Sequence, residues 1–480
     1  MLRKAFFTNS TGIMCSRVFG FFRDVYTANI LGVGIYSDIF FVAFKFPNLF
    51  RRIFGEGAFA QSFLPSFISS NKKGIFSVNV FIIFVLILSL FSFLVWGGSE
   101  WVTKLLAYGF DENTITLAQP IVVINFWYLE LVFIVTFFST ILQYKNNFWV
   151  SAYNSALLNI CMIASLYLAK DSDMMEVVYI LSYGVLCGGI AQILLHFYPL
   201  YKLGFFKLFY VGIKQICLIR GSDTFKSKSL ANLAKKDLKS FFKQFLPSVL
   251  GSSTAQIASF IDTALASFLV SGSISYLYYA NRIFQLPLSI FAIAISTALF
   301  PMVAKAIKNS QEKQALTSMK KSFWFLFVML LGCTIGGIML KNEIIWLLFE
   351  KGKFLRTDTL ISADVFAMYM IGLLPFGLAR VFSLWLYAHK KQGKAASISA
   401  ISLCFGVVCS LILMQFFQVR GLALAGSLSG IILFVLSVRE FGAKRFWDII
   451  AYKRGWFILI VLGMIEVIVL KIFLHFFHIN

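Results

Sequence analysis

The sequence predicts an all-α polytopic membrane protein, and three observations carry that prediction. Its 480 residues are 59% hydrophobic and only 13% charged, with a mean hydropathy of +0.83, a balance foreign to soluble domains. About thirteen apolar segments are long enough to cross a bilayer. Positive charge gathers in alternate connections between those segments. The net charge of +22 therefore reads as a topology signal, and no nucleic-acid partner is expected.

Taken in order, the segments run over 4–31, 35–69, 75–97, 115–143, 149–169, 176–199, 241–270, 273–304, 322–349, 360–388, 395–416, 420–438 and 456–477. The opening MLRKAFF has the basic start of a signal peptide, but Thr8, Asn9, Ser10 and Thr11 interrupt its apolar run. Arg17 follows, so the first segment reads as a retained helix. Lys72 and Lys73, Lys145, Lys202 to Lys239, Lys305 to Lys321, Lys390 to Lys394 and Arg439 to Arg454 fill one set of connections. Glu100, Asp111, Glu112, Asp171, Asp173 and Glu176 lie in the other set. That asymmetry places the N-terminus in the cytoplasm, and an odd number of spans places the C-terminus outside. Lys351, Lys353, Arg356 and Arg420 fall on the outer side without reversing the pattern. The seven cysteines form no C-x-x-C pair and read as packing residues.

A duplication organises the chain. Phe22-Arg23-Asp24 corresponds to Phe260-Ile261-Asp262, Ser37-Asp38-Ile39-Phe40-Phe41 to Ser275-Tyr276-Leu277-Tyr278-Tyr279, and Phe63-Leu64-Pro65 to Leu299-Phe300-Pro301. The near-constant offset indicates a repeated six-helix unit. The expected domains are an N-terminal six-helix bundle over 1–203, a cytoplasmic basic linker over 204–240, and a C-terminal six-helix bundle over 241–440. A loop with one extra transmembrane helix follows over 441–480. Parallel repeats of this kind build transporters whose substrate site lies between the halves near the midplane. Within the linker, Phe205, Phe206, Leu208, Phe209 and Val211 alternate with lysines, the pattern of an interfacial amphipathic helix or of a plain topology determinant. Glu466 stands in the middle of the extra helix, where it serves either helix packing or function.

The densest intramembrane charge lies between Ser16 and Pro65: Arg17, Arg23, Asp24, Asp38, Lys45, Arg51, Arg52 and Glu56. An Arg at mid-bilayer costs about 2.5 to 3.5 kcal/mol on insertion scales, so these charges should line a polar cavity or pair with one another. Helical spacing puts Arg17 and Asp24 on one face and turns Arg23 roughly 120° away. Arg52 and Glu56, at i and i+4, are placed to pair, Lys45 to snorkel, and Arg51 lacks an obvious partner. Converging arginines suit a phosphate-bearing amphiphile, because the guanidinium fork donates two parallel hydrogen bonds and keeps its charge in a low dielectric. The competing reading is an ion-pair network that only fixes helix register. Nothing resembles a phosphate-cradling G-x-x-x-x-G-K-[ST] loop or an H-E-x-x-H metal motif, and the four histidines lie near helix ends or in connections. An enzyme is therefore not expected.

SRVFGFFRD, the run SDIFFVAFKFPNLFRRIFGEGAF, the following QSFLP and, in the second half, ASFLVSGSISYLYYANRIFQLP resemble the MurJ (MviN) family. These are the lipid II flippases of the multidrug/oligosaccharidyl-lipid/polysaccharide (MOP) exporter superfamily. The resemblance implies two six-helix bundles in a V around a cationic cavity. It also implies transport of lipid II, the undecaprenyl-diphosphate-linked peptidoglycan precursor, across a bacterial inner membrane. The alternative within the superfamily is a polysaccharide-lipid flippase or a multidrug antiporter. The family's substrate-binding arginines correspond to Arg17, Arg23, Arg51 and Arg282, with Asp24, Asp38, Arg52, Glu56 and Asn48 in supporting or gating roles. Asp262 matches a candidate cation-site residue, although the 395–416 segment lacks the Asn/Asp companions expected there. Asn281 replaces a common acidic residue before Arg282, and one extra helix stands where members often have two. No cofactor is expected, and coupling to the membrane potential or to a monovalent cation stays open. Partners implied are lipid II, membrane lipids and other cell-wall synthesis proteins.

Overall fold

The computed structural model describes residues 2–53, 58–221 and 225–476. Side chains are described within those ranges except at 2–10, 13, 52–53, 220–221, 225–228 and 250–259. Every regular element described is helical, and the chain forms two compact units, Met1–Phe260 and Ile261–Asn480. Among the described residues nine helices are long and apolar enough to cross a membrane. This is a multi-pass membrane protein.

The first unit begins with α1 (Leu2–Leu31), α2 (Ile35–Ile53), α3 (Phe59–Ser69) and α4 (Lys73–Gly97). It continues through α5 (Ser99–Leu106), α6 (Glu112–Tyr144), α7 (Trp149–Leu168), α8 (Met174–Lys202), α9 (Phe205–Gly221) and α10 (Phe225–Ala266), which runs on into the second unit. The α1–α2 reversal needs a left-handed residue, supplied by Gly32 at φ 62°. Ser37 then closes the turn, accepting from the Gly34 N–H at 3.0 Å and donating to the Gly34 carbonyl at 2.9 Å. Gly12 lets α1 lie against α7, since a Cβ there would come within 2.4 Å of the Ala152 Cβ.

Phenylalanine fills the centre of this unit. Phe59 and Phe63 of α3, Phe84 of α4, Phe133 and Phe137 of α6, and Phe241 and Phe245 of α10 are buried in one cluster. Phe59 meets Phe133 edge-on at 5.6 Å, and Phe84 stacks on Phe133 at 5.0 Å. In lipid, burial brings no release of water, so tight ring packing rather than dehydration carries the association. The region after Gly204 is helical: α9 packs on α4, and the first half of α10 contributes its two buried rings to the first unit.

The second unit contains α11 (Ser273–Pro287), a π-helical stretch Leu288–Ile293, α12 (Ala294–Lys308), α13 (Glu312–Met339) and α14 (Lys341–Phe349). It continues with α15 (Arg356–Ile371), α16 (Leu373–Ala388), α17 (Gln392–Phe441), α18 (Ala443–Ile450) and α19 (Lys453–Phe476). The π stretch interrupts the segment that corresponds, through the duplication, to the junction of α2 and α3. The expected segments 395–416 and 420–438 both lie in α17, which breaks at Gln418 (φ 52°, ψ −134°). There the chain folds back: Ser402 donates to the Ser429 carbonyl at 2.6 Å and Ser429 to the Ser402 carbonyl at 2.9 Å. The extra helix α19 packs against α13. Its Glu466 faces the gap left by Gly332 and Gly336, 3.3 Å from where a Gly332 Cβ would sit, which places that carboxyl at a helix-packing contact.

Candidate functional site

In the first unit α7 is the element on which the cationic side chains are organised. Asn159 and Ser155 stand one helical turn apart on it. Arg23, on α1, donates from one terminal nitrogen to the Asn159 side-chain oxygen at 3.0 Å and faces the Met162 sulfur at 3.8 Å. Arg51, on α2, donates to the Ser155 hydroxyl at 3.2 Å and, through its Nε, to Asn48 at 3.1 Å. Two guanidiniums from different helices are thus fixed to one face of a third. Asn159 is itself buried and held, donating to the Ser16 carbonyl at 3.2 Å. Tyr128 of α6, fully buried, lies within electrostatic reach of both Arg23 and Arg51.

Asp24 pairs with its own sequence neighbour. Arg23 donates to its Oδ1 from Nε at 3.1 Å and from a second terminal nitrogen at 2.5 Å, and both residues are buried. Helical spacing turns the Arg23 Cβ about 120° from the face of Arg17 and Asp24, yet its guanidinium, on a long stem, reaches around the helix to Asp24. Arg17 is exposed on α1. Asp38 is buried in the first turn of α2, and Asn48 is a direct ligand of Arg51. The proposed Arg52–Glu56 pair lies outside the described side chains.

In the second unit, Arg282 on α11 is half-buried next to Asn281, which accepts from Gln285 at 2.6 Å. Asp262 and Asn281 both lie close enough to Tyr369 of α15 to act on its hydroxyl. Among the described residues no three His, Cys, Asp or Glu side chains converge as a metal cluster. At one end of this unit Asp364 of α15 pairs with Lys341 and, at 2.7 Å, with Arg420 just past the α17 break. At the same end Tyr276 of α11 donates to buried Asp358 at 2.9 Å.

Asn159, Ser155 and Arg380 were not singled out from the sequence. The polar pair at i and i+4 within the apolar run 149–169 was a usable signal for the first two. Arg380, a lone cation in a long apolar segment, was a usable signal for itself.

The site combines buried Arg23 and half-buried Arg51, each held by neutral or acidic side chains of its neighbours. Guanidiniums fixed in this way are donors of the kind that suits an anionic group. The family model "Lipid II flippase MurJ" matches residues 27–479. A probable lipid II flippase MurJ of Helicobacter pylori strain J99 is 58% identical over 93% of this chain and 96% of its own length. One from Buchnera aphidicola of Schizaphis graminum is 31% identical over 97% and 88%. Among solved structures, a lipid II flippase MurJ in an inward closed conformation is 26% identical, with a TM-score of 0.75 over 97% of this chain and 98% of that one. An inward-facing multidrug resistance transporter of the MATE family in the MOP superfamily, 14% identical with a TM-score of 0.70, shares the fold. The chain belongs to the lipid II flippase MurJ family, a family of transporters rather than enzymes.

Proposed function

We propose that this protein moves lipid II from the cytoplasmic to the outer leaflet of a bacterial inner membrane by alternating access. The observation that carries the reading is the fixing of Arg23 and Arg51 to one face of α7, in a chain of this family. A diphosphate head group cannot cross hydrocarbon bare, so protein donors must replace its water. Held guanidiniums meet that need with little reorganisation, and each charge-assisted bond is worth roughly 1.5 to 3 kcal/mol. Arg17 and Arg282 complete the cationic set in this reading. Release requires that the grip weaken on the outer side, and Asp24, already bonded to Arg23, is placed to compete with phosphate for that arginine. The N-terminus is cytoplasmic, and a monovalent cation at Asp262 or the membrane potential biases the cycle. Purified protein in liposomes should move lipid II between leaflets, as read by access of an external enzyme to its sugar. Liposomes with equal protein and no transfer would refute the reading.

A further inference from the structure

α16 is packed on nearly every side, and the residues it leaves open differ in kind from those of a lipid-facing helix. Over its last three turns Arg380 and Tyr387 are the exposed positions, with Ser383 half-buried between them on the same stripe. By contrast α19 exposes Phe457, Ile460, Ile465 and Ile468, the surface expected against acyl chains. An open stripe of Arg, Ser and Tyr on an otherwise buried span belongs against water or a polar ligand, because a lipid-facing guanidinium at this depth is strongly disfavoured.

Snorkelling does not remove the difficulty. Arg380 lies eight residues before Ala388, about 12 Å inside the helix end that leads to His389, Lys390 and Lys391. Its Cα–Cβ bond tilts toward the helix N-terminus, away from that nearer interface. Arg380 makes no ion pair and no side-chain hydrogen bond among the described residues.

Its level in the bundle follows from the packing of α16 on the π stretch and α12. A Cβ on Gly377 would lie 3.5 Å from the Ala292 side chain, so those two residues share a level. Arg282 precedes Ala292 by ten residues and Arg380 follows Gly377 by three, on elements that both run toward lysine-rich ends. At 1.5 Å per residue the two arginines are about 20 Å apart along the bundle. One diphosphate does not span that distance.

We propose that Arg380 is a second anion contact of this unit, meeting a phosphate of the substrate head group on the lysine-rich, cytoplasmic side of Arg282. The inference rests on the lipid II reading above and adds a site to it. The head group is held first at Arg380 and handed outward to Arg282, with Tyr387 and Ser383 lining the approach.

The test uses full-length protein with exposed Cys187, Cys217 and Cys404 replaced by Ser. Arg380→Cys should react in membranes with a charged, membrane-impermeant thiol reagent, whereas Ile460→Cys on α19 should not. In purified protein Arg380→Ala should weaken lipid II binding about tenfold and Arg380→Lys by less, at unchanged melting temperature, with binding of an uncharged polyprenol unaltered. If Arg380→Ala does not fold, Arg380→Cys labelled with an aminoethyl thiosulfonate supplies the comparison, and regained affinity on labelling is the expected result. An unreactive Arg380→Cys, or folded Arg380→Ala with wild-type affinity while Arg282→Ala loses it, overturns this inference and leaves lipid II transport standing. Wild-type protein that does not bind lipid II overturns the reading beneath both.

Discussion

Arg23 and Asn159, 136 residues apart in sequence, are joined by a hydrogen bond of 3.0 Å between a guanidinium nitrogen of α1 and an amide oxygen of α7. Asn159 also donates to the Ser16 carbonyl, so a single side chain sets both the arginine and the helix that carries it. Asn159→Ala removes a charge-assisted bond worth roughly 1.5 to 3 kcal/mol. Lipid II transport in liposomes should fall about tenfold or more, with the protein still folded. Unchanged transport would show that Arg23 does not need this support.

Arg23→Lys keeps the charge and loses the geometry. The native guanidinium spans Asp24 and Asn159 at once, which a single ammonium point cannot reproduce. Complementation of a flippase-depleted bacterium should be impaired at normal membrane levels. Full growth would mean that charge alone suffices.

Much of this was legible in the sequence, and the losses have physical causes. Hydropathy located the helices because length and apolarity are local properties, and the break at Gln418 falls between two expected segments. Arg23, Arg51 and Arg282 stood out because charge is costly in a bilayer. Their partners did not, since Asn159 meets Arg23 only through the packing of α7 on α1, and Ser155 meets Arg51 only in the folded chain, 104 residues away in sequence. The pairing of Arg23 with Asp24 escaped a wheel that places Cβ atoms and ignores the reach of a long side chain. Arg380 did not stand out because it is a single cation in its apolar segment, with no second charge at helical spacing to mark a face.

Close packing of α1 on α7 depends on Gly12. A leucine there would drive atoms into Ala152, whose Cβ lies 2.4 Å from the nearest added carbon, and overpacking of this kind costs about 1 to 3 kcal/mol. Gly12→Leu should lower the unfolding temperature in detergent by several degrees and reduce transport with it. A wild-type melting curve would place α1 elsewhere.

The fold-back at Gln418 puts that residue and Lys391 at opposite ends of a helical hairpin. With the lysine-rich end in the cytoplasm, Gln418→Cys should be labelled from outside intact cells and Lys391→Cys should not. The reverse pattern would invert the proposed topology.

The central claim is that the arginines of the membrane-spanning helices carry the phosphates of the substrate. Its most direct test is lipid II transport by Arg17→Ala, Arg23→Ala, Arg51→Ala and Arg282→Ala proteins in a flippase-depleted bacterium, with membrane levels matched. The account predicts that each variant loses at least tenfold in export, and that Arg23→Ala and Arg51→Ala, whose wild-type side chains are fixed to α7, fail to support growth. Normal growth and export by all four would contradict it and leave these arginines as an ion-pair network that holds helices in register.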